Sequence, residues 1–221
     1  MGTRFSSLIK RNITRILIVT ALLLTALSCD FLLLPPTGFP EDGPNARATP
    51  KGTIEHLFRA YKDRRIDLFT ELLPRSNTFR FFISPDYSLE YAAMSGPDAT
   101  IQTVEEFEYH FVRPGNYHYW GHERELAKHR NLFRRADMIE FREYPIIDDE
   151  RDFRYRVNAD NETTHVEVRM TSGELCIGLR DTVYCTQKNG QMQVFLLERE
   201  TDRVTGDKLW VIRDWFDLNS L

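Results

Sequence analysis

The spacing of apolar side chains changes character along the chain. Helical spacing comes first: Thr53 suits an N-cap with Glu55 in the first turn, and Ile54, Leu57, Phe58 and Tyr61 share a face opposite Arg59 and Lys62. Asp67 caps a second, short helix carrying Leu68, Phe69, Leu72 and Leu73, and Pro74 stops it. The run Phe79-Arg80-Phe81-Phe82-Ile83 predicts a strand closed by Ser84-Pro85-Asp86. Thr103-Val104-Glu105-Glu106 has the form of a capping box and predicts a helix with Val104, Phe107 and Phe111 inward, ended by Arg113-Pro114-Gly115. A third helix is expected over 121–133, with the stripe His122, Leu126, His129, Phe133. Beyond it the period falls to two. Strands are expected at about 137–144, 163–170, 174–179, 182–188, 191–200 and 207–217, with Asn189-Gly190 the clearest hairpin turn. Val166, Val168 and Met170 alternate with Glu167 and Arg169, whereas 209–216 is apolar on both faces and so belongs in the centre of a sheet or under a partner. Helices first and strands afterwards predict an α+β domain, with N-terminal helices packed on a curved antiparallel sheet.

The first fifty residues have a different logic. Arg4, Lys10, Arg11 and Arg15 precede the apolar run 16–25, and Ala26-Leu27-Ser28-Cys29 follows it, the layout of a secretory signal with a small-residue cleavage site. A cysteine directly after the small residue makes the segment resemble a bacterial lipoprotein signal, which implies that Cys29 is lipidated and becomes the new N-terminus. The alternatives are a cleaved soluble product and an uncleaved membrane helix over 16–34, about the length that spans a bilayer. Asp30 weighs against the helix, since a carboxylate in the hydrocarbon core costs about 3 kcal/mol. From Asp30 to Pro50 the chain is punctuated by Pro35, Pro36, Gly38, Pro40, Gly43, Pro44 and Pro50, the composition of an extended tether. The expected organisation is a signal peptide at 1–28, a Pro/Gly-rich tether at 29–50 and one domain at 51–221, exported and membrane-anchored at the cell envelope, on the periplasmic face if the source has two membranes.

Charge narrows the partners. Taking the four cations of residues 1–28 from 29 Lys+Arg leaves 25 against 33 Asp+Glu. This acidic balance disfavours nucleic acid, which binds through clustered Lys and Arg. Only Cys176 and Cys185 remain besides Cys29. A tight turn at Arg180-Asp181 places them opposite each other and predicts a disulfide, as exported proteins permit; the alternative is two small apolar residues packed in a sheet. No spacing suits a metal site: His122 and His129 lie seven residues apart, about 10.5 Å along a helix, too far for one zinc.

Three stretches resemble the nuclear transport factor 2-like superfamily, a cone-like α+β fold. They are the opening helix with Leu57, Tyr61 and Phe69-Thr70-Glu71-Leu72-Leu73-Pro74, the segment from Tyr119-Trp120-Gly121-His122 to Asn131-Leu132-Phe133, and the terminal 209–215. The resemblance implies a cavity between helices and sheet, for which Tyr61, Trp120, His122 and His129 are the candidate lining residues, with Asp137 a further pocket candidate. Enzymes of that superfamily use an acid or base in the cavity, but no residue here aligns with a catalytic position, so no catalytic residue and no cofactor is assigned. The two histidines are either core residues with hydrogen-bond partners or cavity groups. Tyr109, Phe111, Tyr117, Tyr119 and Trp120 form either a lid over the cavity or a plug that fills it. The expected function is non-catalytic: a lipid-anchored module binding a small apolar ligand or a protein partner, with a homodimer through the sheet as one arrangement. The alternative is a small-molecule lyase or isomerase using a cavity histidine.

Overall fold

The computed structural model describes residues 46–83, 100–145, 147, 149–171, 173–185 and 191–219. The expected signal peptide, Cys29, the tether as far as residue 45, the Ser84-Pro85-Asp86 stop and the Asn189-Gly190 turn lie outside them.

A 3-10 turn at Ala46–Ala48 leads into helix α1 (Pro50–Lys62). Its cap is Thr49, whose hydroxyl accepts from the Gly52 N–H at 3.0 Å, and Pro50 occupies the first helical position, where a missing N–H costs nothing. The helix therefore starts ahead of Thr53, which is buried instead of capping. Ile54, Leu57 and Phe58 face the core. Helix α2 (Ile66–Glu71) follows, and the Leu72 carbonyl just after it accepts from the Ile212 N–H at 2.7 Å, tying the helical layer to the last strand.

The strands are β1 (Arg80–Ile83), β2 (Thr100–Val104), β3 (Gly115–Gly121), β4 (Met138–Glu143), β5 (Phe153–Val157), β6 (Thr163–Thr171), β7 (Glu174–Leu179), β8 (Thr182–Cys185), β9 (Gln191–Thr201) and β10 (Lys208–Asn219); helix α3 (His122–Arg135) lies between β3 and β4, and the short α4 (Asp149–Asp152) precedes β5. Among the described residues seven strands form one sheet in the order β2-β3-β1-β10-β9-β6-β5, and β4-β7-β8 form a second.

This corrects the expected fold class. The chain is not a set of N-terminal helices on an antiparallel sheet: three strands precede the longest helix, strand accounts for 46% of the described residues against 26% helix, and the large sheet is mixed because β1 runs parallel to β10. The cause is long-range pairing. The short early strand β1 is captured between β3 and the C-terminal β10, with Phe82 opposite Phe216, and no local pattern announces a partner so distant in sequence.

The expected helix from Thr103 is also overturned. Thr100–Val104 is a strand paired with β3, and residues 105–112 are turns and bends. Phe107, expected inward, is 90% exposed with φ +73°, a conformation no helix interior accepts. The fully buried carboxylate of Glu167 on β6 accepts from the backbone N–H groups of His110 and Phe111, both at 2.7 Å, satisfying donors that a helix would have bonded to its own preceding carbonyls.

Position in the sheet explains why β10 is apolar on both sides: it is the middle strand of seven. On one face Phe82, Val194, Leu196, Phe216 and Leu218 pack with Tyr109, Val112 and Tyr117. These tyrosines thus fill a core beneath the 105–112 segment. On the other face Phe81 stacks on Trp120 at 4.7 Å and meets Trp215 at 5.2 Å, beneath the helices.

In the second sheet Leu179 pairs with Thr182 and Cys176 with Cys185, and the two cysteines are joined by a disulfide. Asp137 accepts from the Arg180 N–H at 2.7 Å and braces this hairpin. Closing so short a loop restricts the unfolded chain by about 2–3 kcal/mol. Reduction is expected to lower unfolding free energy by that amount, read as a shift in the urea midpoint with and without reductant.

Candidate functional site

Three structural units converge on one apolar cleft: α1 supplies Leu57, Phe58 and Tyr61, the large sheet supplies Met170, Gln193 and Trp215, and the second sheet supplies Phe141 and Leu175. Pro145 and Gly173 complete the wall among the described residues. Gly173 allows close approach here, since a Cβ on it would fall 2.0 Å from the Glu143 carbonyl oxygen. The aromatic side chains interlock, Phe58 with Phe141 at 5.2 Å and Tyr61 with Phe141 at 6.4 Å. The volume of the cleft is about 70 Å³, well short of the roughly 300–1,000 Å³ typical for a drug-sized ligand. The cleft suits a small molecule or one end of a larger one.

Behind Tyr61 lies a chain of buried polar groups. The His129 Nδ1 lies 3.1 Å from the backbone carbonyl of Glu125, which can only accept, so Nδ1 carries the proton. Nε2 is then an acceptor, and the Tyr61 hydroxyl donates to it at 2.6 Å. The Glu125 carboxylate lies 3.3 Å from His129 Nδ1 through one oxygen and accepts from the Trp120 indole N–H through the other. Lys128 Nζ lies 3.3 Å from the centroid of the Trp120 ring.

Burial sets the protonation of this chain. It pushes Glu125 up to about 7, against the pull of the Trp120 hydrogen bond, and pushes His129 down to about 4, against its bond to the Glu125 carbonyl. Tyr61 is raised well above the usual phenol value by burial first, then by the carboxylates of Glu125 and Asp217. His129 is therefore a neutral, doubly hydrogen-bonded ring stacked on Phe69 at 3.8 Å.

Of the residues expected to line a cavity, Tyr61 lines the cleft. Trp120, His122 and His129 are not among its lining residues. Trp120 is buried against Phe81; His122 opens α3 beside Glu123 at 3.3 Å; and His129 reaches the cleft only through the Tyr61 hydroxyl. Asp137, at the start of the second sheet, is likewise absent from the lining. Sequence reasoning missed Glu125, which is 2% exposed one turn before His129; the signal available was the i, i+4 spacing of the pair on one helix. It also missed Phe58, Phe141, Gln193 and Trp215 as neighbours, because they come from four elements far apart in the chain.

Two other groups lie away from the cleft. Glu174 and the two cysteines bring ligand-type atoms within 4.8 Å of one another, but the sulfurs are bonded to each other. A polar recess between α2 and the β9–β10 turn is lined by Arg47, Glu71, Arg75, Glu200 and Asp202, with Arg75 paired to Asp202 at 3.0 Å. Among the described residues no helix is long and apolar enough to cross a membrane.

No protein-family model matches the chain, and comparison with curated proteins finds no match. Among solved structures, the chain is similar to a protein from Thiobacillus denitrificans described as a candidate calcium/calmodulin-dependent protein kinase type II association domain, at 12% identity and TM-score 0.42, covering 78% of this chain and 96% of that one. It is also similar to a candidate dehydratase of the NTF2-like family from Streptomyces avermitilis, at 9% identity and TM-score 0.38, covering 79% and 96% respectively. At identities and scores this low, neither likeness says what this chain binds or does.

Proposed function

We propose that this chain is an exported, lipid-anchored protein of the cell envelope whose domain binds a small apolar ligand without transforming it. In this reading residues 1–28 are removed, Cys29 carries the lipid and residues to about 50 hold the domain off the membrane. The observation that carries the ligand-binding part is the cleft: ten lining residues, none charged, gathered from α1 and both sheets. What weighs against catalysis is the state of His129, which is neutral with both ring nitrogens engaged. A lyase or isomerase reading has one point in its favour, the Tyr61 hydroxyl that links His129 to the cleft wall.

Two measurements on the full chain test the proposal. Radiolabelled palmitate should enter the wild type in a bacterial host and fail to enter Cys29→Ser; equal labelling of both overturns the anchor. A neutral apolar dye such as N-phenylnaphthylamine should brighten on binding the wild type and lose at least tenfold in affinity in Leu175→Trp, whose indole fills the cleft. Absence of binding, or binding unchanged by that substitution, overturns the ligand role.

A further inference from the structure

Asp217 borders the cleft without being one of its apolar wall residues. It lies two residues beyond Trp215 on β10, hence on the same face of the sheet, and directly opposite Gln193 on β9, which in turn is opposite Met170 on β6. Trp215, Gln193 and Met170 all line the cleft, so the carboxylate is flanked by cleft residues along its own strand and across the sheet. Cross-strand Cβ atoms in such a pair are about 5 Å apart, which puts the Asp217 side chain beside that of Gln193.

Among the described residues no cation pairs with it. Burial pushes Asp217 up to about 6, so at neutral pH it is mostly ionised. The Tyr61 hydroxyl, in the cleft wall, also feels the carboxylates of Glu125 and Asp217. Four of the ten lining side chains are aromatic, Phe58, Tyr61, Phe141 and Trp215. Aromatic faces carry negative charge density and attract cations that shed water readily, above all alkylated ammonium groups.

Taking the cleft as a ligand site, as proposed above, we infer that its ligand carries a small organic cation, an alkylammonium group that fits among Phe58, Tyr61, Phe141 and Trp215 with Asp217 as its counter-ion. An inorganic or primary-amine cation would lose too much hydration in an apolar wall, whereas a methylated ammonium presents an apolar shell around its charge. The volume of about 70 Å³ suits such a head group better than a long chain.

The test compares choline with its uncharged isostere 3,3-dimethylbutan-1-ol by calorimetric titration of the full chain in a nonionic detergent. Choline should bind at least tenfold more tightly than the alcohol. Asp217→Asn should cut that ratio at least tenfold, and Phe141→Leu, which keeps bulk and removes a ring, should reduce it several-fold; thermal melting of each variant checks that it is folded. Equal or tighter binding of the alcohol, or a ratio unchanged in Asp217→Asn, overturns the cation inference and leaves the apolar-ligand reading standing. Binding of neither compound, with the dye also failing, overturns both. Displacement of choline by phosphatidylcholine vesicles and not by phosphatidylglycerol vesicles assigns the cation to a lipid head group; no displacement by either assigns it to a free solute.

Discussion

Replacing Asp214 with alanine is expected to lower the unfolding free energy by about 3 kcal/mol, the larger of two effects a single substitution should show here. Asp214 is fully buried in the central strand β10 and accepts from Arg80 at 2.7 Å, Tyr109 at 2.9 Å and Arg213 at 3.1 Å. Removing the carboxylate strands two guanidinium groups and a phenol that depend on it. The side chains of Arg80 and Arg213 are each about a quarter exposed, which lets water recover part of the loss and keeps the cost at the lower end of the range for a broken buried pair. The Arg80 guanidinium also donates to Gln102 on β2 and lies 3.3 Å from the Tyr109 hydroxyl, so the substitution should loosen the 105–112 segment before the rest unfolds. Urea unfolding gives the free energy, and amide exchange at residues 105–112 gives the local opening. Asp214→Asn, which retains an acceptor, should lose less. Equal stability of wild type and Asp214→Ala would refute the account.

The second large effect concerns pH. Glu125 is raised in the folded state to about 7, above its ordinary carboxylate value, so the fold binds its proton more tightly than the unfolded chain does. Its stabilising contribution is fully present at low pH and is lost as pH rises through 7. Asp217, raised to about 6, acts in the same direction over a slightly more acidic window. His129 acts oppositely: held down to about 4, it contributes stability above the usual histidine range that is lost as pH falls toward 4. Wild-type stability should therefore fall between about pH 4.5 and 7, whereas Glu125→Gln, uncharged throughout, should lack the Glu125 share of that fall and should exceed the wild type at pH 8 by about 2–3 kcal/mol. Glutamine can still accept from the Trp120 indole, which keeps the α3–β3 contact in place. Between about pH 6 and 4.5 the opposed contributions of Asp217 and His129 nearly cancel in the variant, whose stability should stay close to level, while the wild type, with Glu125 added, should gain as pH falls. Parallel pH profiles for the two proteins would sink this assignment.

The cleft and the buried polar chain occupy the same layer yet differ in kind. Tyr61, His129, Glu125 and Trp120 link α1, α3 and β3 through a line of partners in which each hydrogen has an acceptor. A satisfied network of this sort fixes how helices sit on a sheet. By contrast, among the described residues the Trp215 indole N–H, buried in the cleft wall, has no hydrogen-bond partner and Asp217 no ion-pair partner.

What the sequence determined by itself is whatever depends on neighbours a few residues away. The α1 face of Ile54, Leu57 and Phe58, the alternation of Val166, Val168 and Met170 in β6, and the register that sets Cys176 opposite Cys185 across the Arg180-Asp181 turn all follow from periods of 3.6 and 2 and from short turns. Tertiary structure decided everything that required distant partners. The parallel pairing of β1 with β10, the conversion of an apparent capping box at Thr103 into a strand and a bent segment held by Glu167, and the gathering of Phe58, Phe141, Gln193 and Trp215 around one cleft each depend on elements distant in the chain. Local periodicity carries no information about such pairings, because a strand or an apolar face records that it must be covered and leaves open by what.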